Sequence, residues 1–118
     1  MTLKKVTAIF VELRLSNVEE ALRNHLITGY TIHKTEGRGA YVDTYNKNNL
    51  SPHIQMDIYT SDKCAANVAK IIINAAYTNT EDEGLVSITP VDELFWIHTK
   101  QAIQEDEFNI IEPEDIIA

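Results

Sequence analysis

The segment that most restricts the fold is residues 4–13, KKVTAIFVEL, because both of its alternating faces are largely apolar. One face would carry Val6, Ala8 and Phe10, and the other would carry Ile9, Val11 and Leu13. Valine, isoleucine and phenylalanine favour strands, and a strand that is apolar on both faces is buried on both. The chain therefore needs a covering layer on each side of the sheet that contains this strand.

Two segments, residues 15–26 and residues 62–77, have the apolar spacing of amphipathic helices. The first stripe consists of Val18, Ala21, Leu22 and Leu26, and the second consists of Ala65, Val68, Ala69, Ile72, Ile73 and Ala76. Each stripe predicts a helix that packs one face against a sheet.

Both predicted helices have start signals in the sequence. Ser16 followed by Glu19 has the spacing of a capping box, and Ser61 is the predicted N-cap of the second helix. Gly29 is the expected stop signal of the first helix.

The remaining β-forming segments set the element order. Residues 30–36, 53–60 and 85–91 are predicted strands, and residues 92–100 are predicted to form a turn followed by a short fifth strand or arm. The order β-α-β-β-α-β with one extra β element indicates an α+β, ferredoxin-like sandwich. Its two helices can cover only one face of the sheet, and the apolar second face predicts self-association.

Composition narrows the class of protein. The 118 residues predict one domain, and the net charge of −8 argues against a nucleic-acid partner. No apolar run approaches the roughly 18 residues that span a bilayer, and we expect no signal peptide. The single cysteine, Cys64, permits no intrachain disulfide and suits the cytoplasm.

Residues 104–118 form an acidic C-terminal tail with six acids and no base. The acids are Glu105, Asp106, Glu107, Glu112, Glu114 and Asp115. The tail also contains Phe108 and four isoleucines. It therefore has two interpretations, a segment docked on a surface and a frayed end.

A long polar connection, residues 37–52, joins the second and third predicted strands. Loops of this length in compact domains are usually functional or disordered. It opens with Gly37, Arg38 and Gly39, which form either a flexible hinge or a backbone anion site with one added charge. Four less polar residues, Tyr41, Val42, Tyr45 and Leu50, are candidates for contact with a partner.

With these elements in place, the chain resembles the PII signalling family. ITGYTIHKTEGRG (residues 27–39) looks like the family's strand entering its regulatory T-loop, and EGLVSITPVDELFWIHTK (residues 83–100) looks like its B-loop, fourth strand and C-terminal arm. The resemblance implies a PII-like domain over residues 1–103, with a T-loop at 37–52 and a B-loop at 78–84. In length, this T-loop is nearer to the PII-like proteins associated with bicarbonate transporters.

The resemblance also implies function. It implies a homotrimer that senses a small ligand, an adenine nucleotide or a small anion, in the clefts between subunits. It implies that residues 40–52 then act on a membrane transporter or a metabolic enzyme, with no catalysis and no insertion into the membrane. The implied ligand residues are Thr31, Gly37, Arg38, Gly39, Gly84, Trp96 and His98.

The chain departs from the family where phosphates would bind. Leu85 stands in a lysine position, and Trp96 and His98 stand in two arginine positions. A triphosphate needs cations or a metal to offset its charge. An interaction module that has lost nucleotide binding is therefore the alternative interpretation.

Other candidate residues have two interpretations each. Trp96 serves either packing or base stacking, and the acids at 81–83 form either a solvated turn or a cation site. His33 and His53 are predicted to lie on adjacent strands, where Glu36 or Asp43 would complete a metal site, although the spacing matches no known ligand motif. No catalytic set is evident, and an enzyme using the histidines and carboxylates is the least supported interpretation.

Overall fold

The computed structural model describes residues 3–37, 51–78, 84–104 and 107. Four strands form one antiparallel sheet: β1 (Leu3–Val11), β2 (Thr31–Gly37), β3 (Ser51–Ser61) and β4 (Gly84–Val91). Two helices, α1 (Leu15–Asn24) and α2 (Asp62–Ala76), follow β1 and β3, and a 3-10 turn, Glu12–Arg14, precedes α1. The strand order β2-β3-β1-β4 confirms the predicted ferredoxin-like arrangement.

The core lies between the helices and one face of the sheet. Val6, Ala8 and Phe10 of β1 are buried there against Val18 and Leu22 of α1. From β3 and α2 the core takes Ile54, Met56, Ile58, Ala65, Val68, Ala69, Ile71, Ile72 and Ala76. The predicted apolar stripes are therefore largely the packed ones, although Ile73 is half exposed and Ile71 takes a buried place.

The second face of the sheet is more polar than the sequence suggested. In the β1–β3 register, Thr7 pairs with Asp57 and Ile9 pairs with Gln55. The prediction for β1 was wrong at its end, because the strand stops at Val11 and Leu13 lies in the 3-10 turn, 90% exposed. The open face thus carries Ile9 and Val11 together with a polar centre.

The predicted capping box at Ser16 and Glu19 is wrong. The 3-10 turn leads directly into α1, whose N-cap is Arg14 with no side-chain cap bond, so Ser16 lies inside the first turn. Glu19 instead accepts a hydrogen bond of 2.6 Å from the Tyr30 hydroxyl.

The end of α1 also differs from the prediction. The helix stops at Asn24, and Leu26, not Gly29, takes the left-handed backbone with φ 61°. Ile27 N–H donates to the Leu22 carbonyl at 2.9 Å and Leu26 N–H donates to the Arg23 carbonyl at 3.0 Å. These two bonds form a Schellman motif, which satisfies the last carbonyls without glycine.

The segment after β4 forms a hairpin-like arm, residues 94–103, rather than a fifth strand. Trp96 N–H donates to the Gln101 carbonyl at 3.0 Å, and Ile103 N–H donates to the Leu94 carbonyl at 2.8 Å. Within the described residues, the arm has one isolated bridge, Phe95 with Ala102, and no ladder to the sheet. No helix among the described residues is long and apolar enough to cross a membrane.

Candidate functional site

The first of two candidate pockets lies where the arm meets the start of β2. It has a volume of about 280 Å³. Thr31 and Trp96, both predicted ligand residues, line it with the aromatic side chains of Tyr30, Tyr59 and Phe95. Gly29, Asp57, Leu94 and Ile103 complete the wall. The pocket therefore offers mainly aromatic and aliphatic surface.

The second pocket lies at the start of β4, between that strand and the end of α2. Its volume is about 210 Å³, and its lining includes Gly84, Leu85, Ile9, Ile73 and Tyr77. None of the described residues that line it carries a formal charge. Leu85, half exposed here, supplies apolar surface where the family resemblance places a lysine.

Gly84 is held in place by the backbone of β1. Its φ is +114°, and a Cβ at this position would lie 1.8 Å from the Ile9 carbonyl oxygen. No other residue fits this close approach without displacing the strand. The glycine that sequence reasoning assigned to ligand binding therefore has a structural reason of its own.

Trp96 is fixed by the beginning of the acidic tail. Its indole Nε1–H donates to Glu107 Oε1 at 3.0 Å, and Glu107 Oε2 accepts from the Gln104 N–H at 2.6 Å. The backbone bond from Gln104 and then the indole bond hold the pKa of the Glu107 carboxyl below its usual value. The indole face remains partly exposed, but its only donor already has an acceptor.

Asp57 forms the polar centre of the open sheet face and reaches the edge of the first pocket. Thr7 Oγ1–H donates to Asp57 Oδ1 at 2.8 Å, and Gln55 Nε2 lies 3.5 Å from Oδ2. His33 Nε2 lies 4.0 Å from the same Oδ2. Among the lining residues that the structure describes, Asp57 is the only one with a formal charge, and that charge is negative.

The predicted site residues lie at opposite ends of the sheet. Gly37 pairs with Ser51 and Gly84 pairs with Phe10 at one end, whereas Thr31 pairs with Asp57 toward the other. Six residues of strand separate Thr31 from Gly37, a distance of about 20 Å. One subunit cannot bring both residues to one small ligand.

His98 lies in the exposed turn of the arm, beside Ile97, which is 94% exposed. Neither residue lines either pocket. Sequence reasoning missed Tyr30, Asp57 and Phe95 as pocket residues. Nothing in the sequence showed that the arm would return across β3 and bring these residues together.

The metal alternative gains no support from the strand register. His33 pairs with Gln55 and Thr35 pairs with His53, so the two histidines are diagonal neighbours. The His33 side chain is 58% exposed, whereas His53 is buried. Within the described residues no group of three or more histidine, cysteine, aspartate or glutamate side chains is placed to hold a metal.

Several predictions lie outside the described residues. They concern Arg38, Gly39, the partner-contact residues Tyr41, Val42, Tyr45 and Leu50, Asp43, the acids at 81–83, and the tail beyond 104 apart from Glu107. What the structure does show is that β2 and β3 pair as far as Gly37 and Ser51. The ends of the long connection are therefore adjacent.

Comparison with known proteins agrees with this architecture. Residues 3–101 match the family model for nitrogen regulatory protein P-II. The chain is 27% identical over 104 residues to the nitrogen regulatory protein P-II of Azospirillum brasilense, covering 82% of this chain and 93% of that protein. It is 27% identical over 107 residues to the nitrogen regulatory protein GlnK of Escherichia coli K12, covering 85% of this chain and 96% of that protein.

A solved structure shares the fold. The crystal structure of Arabidopsis thaliana PII bound to citrate has a TM-score of 0.75, with 22% sequence identity, and the match covers 87% of this chain and 90% of that one. At this identity the likeness concerns the fold alone.

Proposed function

Because residues 3–101 match its model, the chain belongs to the nitrogen regulatory protein P-II family, and we propose that it is a homotrimeric, non-enzymatic regulator. Its domain is residues 1–103, with a T-loop at 37–52, a B-loop at 78–84 and an acidic tail at 104–118. The domain senses a small ligand between subunits and acts on a transporter or enzyme through residues 40–52.

The observation that carries this proposal is the division of the predicted ligand residues between two ends of the sheet. Gly37 and Gly84 lie at one end, and Thr31 lies with Trp96 at the other. They can contact one ligand only if a neighbouring subunit places its arm beside the loop end. A trimer with sites between subunits, as the family resemblance implies, satisfies this requirement.

The lining of the first pocket indicates which ligand it suits. Four aromatic side chains surround Thr31, and the one charged residue in the described part of the lining is an aspartate. Aromatic faces stack on a planar base, whereas a carboxylate disfavours phosphates of the same sign. We therefore propose an adenine compound with few phosphates, and we expect no preference for ATP.

A thermal-shift series with adenosine, AMP, ADP and ATP tests the ligand. A ligand present at 100 times its dissociation constant adds about 2.7 kcal/mol to the free energy of unfolding, which shifts the melting temperature by several degrees. We expect adenosine or AMP to match or exceed ATP, and Trp96→Ala to abolish the shift. Ile97→Ala, a neighbouring change outside the pocket, should retain it.

Two outcomes contradict the ligand proposal. ATP binding more than about tenfold tighter than AMP binding would show that phosphate contacts dominate. No shift with any adenine compound would favour the alternative, an interaction module without nucleotide sensing. Two observations support this alternative. The Trp96 indole is already bonded to Glu107, and no cation is present among the described residues that line the two pockets.

The strand register allows a clean test of the loop. Gly37 and Ser51 are paired, so an Asn-Gly turn can replace residues 38–50 and close an ordinary hairpin. We expect the mass of the trimer and the melting temperature to stay nearly unchanged, because a shorter loop lowers the closure entropy slightly. Capture of a transporter or enzyme partner from a lysate should be lost.

A second variant keeps the loop length and removes only the proposed contacts, by changing to serine the residues Tyr41, Val42, Tyr45 and Leu50. It should also lose the partner. If both variants capture the same protein as strongly as the original chain, the loop does not bind the partner. If the hairpin variant unfolds, the loop is part of the structure.

A further inference from the structure

A third groove lies between the two helices, on the side of the molecule away from the arm and the open sheet face. Ala21, Ile71 and Ala75 form its apolar floor, and His25, Asn67, Lys70 and Asn74 form its polar rim. Its volume is about 470 Å³. The groove shares no residue with the proposed ligand pocket.

The groove favours negative charge, although the chain as a whole is acidic. None of the described residues in its lining is acidic, and Lys70 is exposed at its rim. Among the described residues, the ion pairs are Lys4–Asp62, His33–Asp57 and Lys34–Glu12, so Lys70 has no carboxylate partner there.

Two further nitrogen-bearing side chains, one of them the arginine cation of Arg14, lie beside the groove. Arg14 Nη2 donates to the Ala75 carbonyl at 2.7 Å, which places the guanidinium at one end of the floor. His25 Nδ1 lies 2.9 Å from the Ala21 carbonyl oxygen at the end of α1, which holds the ring beside the groove. An occupant with carboxylates and small apolar groups would match both rim and floor.

The chain itself contains a segment of this chemistry. Residues 108–118, FNIIEPEDIIA, have three acids, four isoleucines, one phenylalanine and no base. The neighbouring Glu107 is already bonded to the Trp96 indole. The segment that follows it has no role in the proposed function.

The groove is within reach of that segment. Ile103 and Gly29 line the same pocket, and Gly29 follows His25, at the groove, by four residues, which span at most about 14 Å. The eleven residues from 108 to 118 extend to about 36 Å. The segment can therefore pass the β2 edge and run along the groove of its own subunit.

We propose that the groove between α1 and α2 binds residues 108–118 of the same chain. The carboxylates of Glu112, Glu114 and Asp115 contact the rim, with Lys70 as the main cation, while isoleucines cover Ala21 and Ile71. The tail thereby covers an apolar strip of the helical layer. This inference does not depend on the identity of the sensed ligand.

Limited proteolysis of the full chain tests the proposal. A protease specific for glutamate cleaves after Glu114, whereas Pro113 blocks cleavage after Glu112, and the rate at Glu114 follows the population of undocked tail. Lys70→Glu replaces attraction with repulsion and should raise the cleavage rate about three- to tenfold. Lys63→Glu is the matched control, because Lys63 is exposed on the same helix but does not line the groove, and its rate should match that of the original chain.

Salt provides a second readout. As the salt concentration rises from about 50 mM to about 500 mM, the cleavage rate of the original chain should approach that of Lys70→Glu. Salt screens exposed ion pairs, and the Debye length falls to about 3 Å at 1 M. The free peptide 108–118 measures any effect of salt on the protease itself. Equal rates in the original chain and both variants, at low salt, would overturn the proposal.

A peptide-binding measurement tests whether the groove is occupied by the tail of the same chain or by another acidic segment. A chain that ends at Glu107 keeps the bond to Trp96 and leaves the groove open. It should bind a fluorescent 108–118 peptide at least about tenfold more tightly than the full chain does, because the full chain carries a competing tail. Equal binding to both chains would show that the groove takes an acidic segment from elsewhere, and binding unaffected by Lys70→Glu would place the peptide outside the groove.

Discussion

At the scale of single residues, Gly84 and Leu26, two of the three described residues with positive φ, are treated differently by the fold. Gly84 has φ +114° and no space for a Cβ against the Ile9 carbonyl. Leu26 has φ 61° and is mostly exposed, so its side chain meets solvent rather than backbone. Backbone strain alone is tolerated in a leucine, whereas strain combined with a backbone collision is not.

Gly84→Ala should destabilise the domain by more than about 2 kcal/mol, because the new methyl group must push β4 away from β1. Chemical denaturation followed by circular dichroism measures the change. Gly29→Ala is the matched control, since nothing lies within 4 Å of the point that a Cβ would occupy there, and it should be neutral or slightly stabilising. Equal effects of the two substitutions would contradict the close approach at Gly84.

The pair formed by Tyr30 and Glu19 predicts a dependence on alkaline pH. The hydrogen bond to Glu19, followed by burial, raises the pKa of the Tyr30 phenol above its usual value of 10.0. A phenol with a raised folded-state pKa stabilises the protein fully below pH 10.0 and loses that contribution as the pH rises through the folded value. Tyr30→Phe should cost about 1 kcal/mol at neutral pH, and this cost should disappear as the phenol ionises, because the phenolate donates no bond and is repelled by the Glu19 carboxylate.

Ultraviolet titration of the tyrosines provides the direct measurement. One phenol of the original chain should ionise later than the others, and Glu19→Gln should move its transition to lower pH. If that transition stays in place when the carboxylate is removed, the bond to Glu19 does not cause the raised pKa.

At the scale of elements, the two helices begin in different ways although both have a serine near the start. Ser61 Oγ accepts a bond of 3.2 Å from the Cys64 N–H and caps α2. Ser16 lies inside α1, after a 3-10 turn that has already begun the helical path. Serine therefore stabilises the start of α2 as an N-cap but makes no cap bond in α1.

Ser61→Ala should lower the free energy of unfolding by about 1 kcal/mol, the usual cost of a lost N-cap. Ser16→Ala should change it by less than about 0.5 kcal/mol, because alanine has a higher helix propensity and no cap bond is lost. Denaturant titration of both variants checks the difference. A larger loss at Ser16 would restore the capping box that the structure contradicts.

At the scale of the whole molecule, the helices cover one face of the sheet and leave the other to a further layer. The arm covers part of that face, around Tyr59 and Ile103. The remainder contains Ile9 and Val11, with Leu85 beside Ile9 on β4. Burial of this remainder between subunits is the simplest way to remove its apolar surface from water.

Leu85→Asp should therefore weaken self-association, because it places a charge on the open face beside Ile9. Light scattering should give about three times the chain mass of 13.4 kDa for the original protein and a smaller mass for the variant at micromolar concentration. Leu13→Asp is the matched control, since Leu13 lies outside the sheet and is 90% exposed, and its mass should equal that of the original. A monomeric original chain would exclude the trimer.

The element order and the core residues were decided by the sequence itself. Alternation placed Val6, Ala8 and Phe10 together on one face of β1, which is the buried face, and helical spacing placed Val18 and Leu22 in the core. These patterns are local and repeat along an element. The buried face of each element can therefore be predicted from the sequence before the fold is known. Ser61, which stands between a strand and a helix, is readable for the same reason.

The candidate site was decided only by tertiary structure. The separation of Thr31 from Gly37 depends on strand register, and the pocket at Trp96 depends on an arm that returns across β3. The failure at Ser16 likewise arose because the preceding turn, not the serine, starts the helix. Functional sites depend on contacts between segments that are distant in the sequence, and so do close approaches such as that of Gly84 to Ile9. A local sequence pattern contains no information about the distance between such segments.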